Sequence, residues 1–141
     1  MTTPAERTLA LKWCHELLVD IRDGAGATAE DRATAAEALV HYPNASEHAR
    51  WIENGVTSIP TEAVLAMEGA GDLLRNMWLR DDLEQVLRRR TQYVLRHYPG
   101  TGQIQRWAKR LQRQPIGQWL QIGEGCSDLP ASMQTAPADE P

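Results

Sequence analysis

The block His-Tyr-Pro occurs twice, as His41-Tyr42-Pro43 and His97-Tyr98-Pro99, each time after a Leu-x pair and ahead of a tryptophan, Trp51 or Trp107. Sliding the sequence along itself until Pro4 falls on Pro60 aligns 4–54 with 60–110 without a gap and gives 13 identities in 51 positions. They include Pro4 with Pro60, Glu6 with Glu62, Leu17-Leu18 with Leu73-Leu74, Arg32 with Arg88, and Arg50-Trp51 with Arg106-Trp107. A repeat of this length constrains the fold more than any single motif. Two units of this size are each too small to bury an adequate core alone, so they are expected to share one.

Each copy reads as three helices. The first opens at Pro4 or Pro60, where a missing N–H costs nothing, with Glu6 or Glu62 in the turn that the helix dipole makes favourable for an anion. Thr3 and Glu6 also have the spacing of a capping box. Apolar residues follow at helical spacing: Leu9, Ala10, Trp13, Cys14, Leu17, Leu18 and Ile21, then Leu65, Met67, Ala70, Leu73, Leu74, Met77 and Trp78.

A turn at Asp23 to Thr28 leads into a second helix from about Ala29 to Val40; its counterpart is expected to start with Arg80 or Asp81 near the N-cap and to run to about Arg96. Pro43 and Pro99 end these helices, because proline disfavours helical geometry in the residue before it and lacks the donor to continue the ladder. That places His41 and His97 in last turns, where a ring can meet free carbonyls. Asn44 with Glu47, and Thr101 or Gly102, are the expected starts of the third helices. Trp51 and Trp107 then return to the core.

The fold class predicted is therefore all-α, two tandem three-helix repeats packed as one helical domain. Repeat one covers 1–56 and is acidic, repeat two covers 57–113 and is basic, 114–123 is a short packed extension through Ile116, Trp119 and Leu120, and 124–141 is a flexible tail. The charge partition is strong: residues 1–74 hold 5 basic and 12 acidic side chains, residues 75–113 hold 10 and 3, and residues 114–141 hold none and 4. Such asymmetry bears on partners and association more than on fold.

No apolar run approaches the roughly 20 residues that span a bilayer, and the first residues lack the cationic-then-apolar order of a secretory signal. A cytoplasmic protein without a membrane partner is expected. Cys14 and Cys126 lack the even spacing of a disulfide framework or metal knuckle and are expected as free thiols.

The opening Met-Thr-Thr-Pro-Ala-Glu-Arg-Thr and the Leu39-Val40-His41-Tyr42-Pro43 block resemble a family of small uncharacterised bacterial proteins that begin Met-Thr-x-Pro-x-Glu-Arg-Thr and carry Leu-x-His-Tyr-Pro. The similarity covers roughly residues 1–50; Leu95, His97, Tyr98 and Pro99 would belong to a diverged second unit, which departs at Ala63 and Val64. The resemblance implies a bacterial accessory protein and carries no activity.

Little in the chain points to chemistry. His15, His41, His48 and His97 have no metal-ligand spacing. There is no nucleophile elbow, Gly100 to Gln103 is too short for a phosphate loop, and Asp81-Asp82 reads as a helix start. No catalytic residue, cofactor or metal is expected, and the protein is read as a non-enzyme. The candidate partner-binding residues are Arg88, Arg89, Arg90, Arg96, Arg106, Lys109, Arg110 and Arg113.

The leading expectation is a regulator or inhibitor that binds a protein, within a bacterial nucleoprotein complex. Small acidic inhibitors carried by phages and mobile elements, anti-CRISPR proteins among them, act in this way, and arginine and tryptophan are common binding anchors. Opposite poles also permit a homodimer. The alternative is direct nucleic-acid binding through the Arg-rich helices of 88–113.

Overall fold

The computed structural model describes residues 2–24 and 26–122. The tail expected at 124–141, with Cys126, lies outside the described residues. Among those described the chain is helical, with no strand: α1 Pro4–Arg22, α2 Ala29–Leu39, α3 Ala45–Asn54, α4 Thr61–Trp78, α5 Gln85–Leu95 and α6 Gln103–Arg110, followed by a 3-10 turn, Ile116–Gln118. No described helix is long and apolar enough to cross a membrane.

Most boundaries follow from the caps. Thr3 and Glu6 close a reciprocal capping box on α1. Asn44 and Glu47 do the same on α3, with bonds of 2.9 and 3.0 Å. Gly55, at φ +56°, ends α3 in the left-handed conformation that glycine adopts without strain. Gly102 stands at the N-cap of α6.

One expected start is corrected. The N-cap of α5 is Glu84, not Arg80 or Asp81, because its carboxylate reaches two free amides, those of Val86 and Leu87, at 3.0 and 2.9 Å. Leu83 is buried ahead of it, and Arg88 reaches back to the carbonyls of Trp78 and Arg80, so residues 79–84 are held as a turn. Arg32 closes the linker of equal length before α2 through the Ala27 carbonyl, 2.7 Å away.

Helix α1 packs on α2, α4 packs on α5, and the pairs interlock: α2 rests on α4, α5 rests on α1, and α1 meets α4. Leu11, Leu17, Leu18 and Ile21 of α1 meet Met67, Leu74 and Met77 of α4 in the buried interior, with Leu87 and Val94 from α5. Tyr42 and Tyr98 enter this interior from the two His-Tyr-Pro corners. The Tyr42 hydroxyl donates to the Leu11 carbonyl at 2.6 Å and the Tyr98 hydroxyl to the Met67 carbonyl at 2.7 Å, each bond spanning 31 residues.

Two expectations about the core change. Trp13 and Trp119 are buried, whereas Trp51 and Trp107 sit half-buried at the edge, since α3 and α6 lie on the outside of the four longer helices. Leu65, expected in the apolar stripe of α4, is 56 % exposed.

In the extension Ile116, Trp119 and Leu120 are buried, while Ile122 is exposed. Trp119 stacks on Trp107 with centroids 4.8 Å apart, and the Arg7 guanidinium lies 5.1 Å over the Trp107 ring. Arg7 also donates to the carbonyls of Trp119 and Gln118, so the extension ties α6 to the start of α1.

Candidate protein-binding surfaces

The eight basic candidates do not form one surface. Arg90 is 4 % exposed and pairs with Asp20 of α1 at 2.7 Å. Arg88 is spent on the Trp78 and Arg80 carbonyls and lies 5.2 Å over the Trp78 ring. Arg89 is half-buried, and Arg96 is exposed with its guanidinium over Tyr93. The remaining four, Arg106, Lys109, Arg110 and Arg113, are all exposed on α6 and the turn that follows. The Arg-rich stretch therefore divides into a structural portion on α5 and a solvent-facing portion on α6.

The pairing explains part of the charge partition. Asp31, buried on α2, accepts both terminal nitrogens of Arg80, at 3.0 and 2.5 Å, and this hydrogen bonding holds its carboxyl below the usual carboxylate range. Asp20 with Arg90 likewise joins an acidic residue of the first half to a cation of the second, and the Glu6 carboxylate lies 3.7 Å from the His97 ring. Opposite charges in the two halves thus hold the helices together. Arg106, Lys109, Arg110 and Arg113 are exposed, and no carboxylate among the described residues pairs with them.

The corner histidines differ from expectation. Neither ring caps a helix carbonyl: the His97 ring lies 3.1 Å from the Thr2 hydroxyl and near Glu6, and the His41 ring is exposed. Tyr42, Pro43, Tyr98 and Pro99 are buried, so the motif is a packed corner in which tyrosine and proline carry the structure.

A groove between α2 and α4 escaped the sequence reading. Its volume is about 290 Å³. Ala38, Leu65, Ala66 and Gly69 form its apolar walls, while Thr34, Glu37, His41 and Glu62 stand around it. The missed signal is a pair of mismatches in the alignment of 4–54 with 60–110: Gly69 falls on Trp13, and Glu37 falls on Tyr93.

The buried titratable groups have no access to a substrate. Burial pushes the Cys14 thiol up to about 12, and it pushes the phenols of Tyr42 and Tyr98 well above their ordinary range. His48, on α3, is 1 % exposed, and neither ring nitrogen has a hydrogen-bond partner among the described residues; desolvation lowers it to about 4. Its ring is edge-on to Tyr42 and Trp51. No group of three His, Cys, Asp or Glu among the described residues is placed to hold a metal ion. Comparison with protein-family models, curated proteins and solved structures finds no match to the chain.

Proposed function

We propose that the chain is a non-enzymatic protein-binding module of the bacterial cytoplasm, built as two tandem three-helix repeats, that regulates or inhibits a nucleoprotein complex in the manner of small anti-CRISPR inhibitors. Several paired features support the duplication. Helix α5 begins and ends at the positions that align with the two ends of α2, and the carbonyls that accept from the Tyr42 and Tyr98 hydroxyls, Leu11 and Met67, are themselves aligned. The Asn44 amide donates to Glu47 as the Gly100 amide donates to Gln103.

The observation that carries the binding reading is the open groove between α2 and α4, concave, apolar within and flanked by Glu37 and Glu62. Interaction surfaces combine such an apolar centre with a charged rim. A tagged full-length chain should retain one complex from bacterial lysate in stoichiometric amount. Failure across several hosts counts against the reading.

Direct nucleic-acid binding is the second reading, favoured by the four exposed cations of α6 and its following turn. A nucleic-acid binder retains mixed-sequence DNA or RNA at low salt and loses it steeply as salt rises. No retention at low salt removes this alternative. A homodimer joined through the opposite charges would appear as a doubled mass that falls to the monomer as salt is added.

A further inference from the structure

We infer that the α2–α4 groove receives an aromatic side chain carried beside an arginine or lysine on a partner protein. The inference rests on the duplicated, protein-binding reading above and names the chemistry of the partner. It comes from comparing the groove with the site that the repeat makes equivalent to it, between α5 and α1. There the position of Gly69 is taken by Trp13 and that of Glu37 by Tyr93, and the two rings touch at a tilt of 47° with centroids 5.2 Å apart. The position of Thr34 is taken by Arg90, whose guanidinium is paired with Asp20. The positions of Glu62 and His41 are taken by Glu6 and His97, 3.7 Å apart.

One site therefore carries its own indole, phenol and guanidinium, and the other lacks all three. In the groove a Cβ built on Gly69 would meet nothing within 4 Å, and Gly69 lines the open volume of about 290 Å³ where the first site has Trp13. Leu65, more than half exposed, corresponds to Leu9, which is packed against the core. Among the described residues Glu62 makes no ion pair with His41, and Glu37 is exposed at the rim without one. An aromatic ring would cover the apolar walls, and an adjacent cation would meet the two exposed carboxylates at the rim.

The test is an amide-resolved NMR titration of the full-length protein with two capped tripeptides, Lys-Trp-Lys and Glu-Trp-Glu, and with free indole. Lys-Trp-Lys should shift the amides of Ala38, His41, Ala66 and Gly69, and it should bind at least tenfold more tightly than Glu-Trp-Glu. Gly69→Trp, which supplies the missing ring internally, should abolish those shifts while the protein stays folded. Should that variant not fold, the exposed double change Glu37→Lys with Glu62→Lys replaces it and should reverse the preference between the two peptides.

No groove shifts with Lys-Trp-Lys at millimolar concentration, or shifts that survive Gly69→Trp, overturn the inference. Free indole binding as tightly as Lys-Trp-Lys overturns it in favour of a small-molecule pocket, and concentration-dependent shifts without peptide overturn it in favour of a second copy of the chain. A partner recovered equally by the native protein and by Gly69→Trp overturns the groove alone and leaves the protein-binding reading in place.

Discussion

The hydroxyl oxygens of Tyr42 and Tyr98 lie 3.5 Å apart in the interior, where the two His-Tyr-Pro corners converge. Each phenol has one hydrogen, and each spends it on a helix carbonyl, at 2.6 Å to Leu11 and 2.7 Å to Met67. The contact between the oxygens is therefore one of packing, and the stabilisation lies in the two carbonyl bonds.

Tyr42→Phe and Tyr98→Phe should each lower stability by about 1 kcal/mol, the usual net worth of a buried hydrogen bond. Chemical denaturation of both variants checks this. Losses that differ by more than about 1 kcal/mol would show that the two corners are not equivalent.

Glycines two residues apart on α4 should respond with opposite signs. A Cβ at Gly71 would stand 2.9 Å from Cε2 of Tyr98, a ring fixed by its hydroxyl, and 2.9 Å from the Arg75 guanidinium. Gly71→Ala should therefore destabilise the protein by about 1–3 kcal/mol, outweighing the roughly 1 kcal/mol that alanine gains in a helix. At Gly69 only the helix gain applies, so Gly69→Ala should raise stability by about 0.5–1 kcal/mol. Melting temperatures moving the same way in both variants would contradict the close approach at Tyr98.

Glu68 fastens α6 to α4. Its buried carboxylate accepts the amides of Gly102, Ile104 and Gln105 at 2.9, 3.0 and 3.2 Å, taking free donors at the start of the helix. Glu68→Ala should cost about 1–2 kcal/mol. Hydrogen exchange should quicken first at Ile104 and Gln105. Unchanged protection there would mean that α6 is held by its apolar residues alone.

The Thr3 and Asn44 caps and the apolar stripe of α1 were legible because each depends on residues within a few positions of one another, and the recurrence of His-Tyr-Pro because it is an identity of sequence. Glu68 was not, since its three amides lie 34 to 37 residues away and nothing local distinguishes it from a solvated glutamate. Arg90 and Arg89 are neighbours in sequence, yet one is buried against Asp20 and the other half-exposed; only the approach of α1 decides which is which. The basic stretch therefore looked continuous when it was not. The groove was hidden for a related reason: an alignment shows Gly69 opposite Trp13 as a mismatch, and only packing turns that mismatch into an open space.

His48 makes stability depend on pH. Its folded value is about 4 against 6.5 in the unfolded chain, because burial without a hydrogen-bond partner disfavours the imidazolium. The unfolded state thus binds the extra proton first. Stability is full above the unfolded value, falls as pH drops from about 6.5 to about 4, and changes no further through this residue below that, the total loss being on the order of 3 kcal/mol. In the alignment of 4–54 with 60–110 His48 falls on Ile104, which is 1 % exposed and suggests isoleucine as an apolar replacement. His48→Ile should therefore be at least as stable as the native chain at pH 7 and should exceed it increasingly toward pH 4. His15, which burial also lowers, adds like-charge repulsion to His48, so the difference between the two proteins includes that coupling. Denaturation curves at half-unit steps give the two profiles, and a gap that stays constant from pH 7 to pH 4 would show that His48 takes up no proton on unfolding.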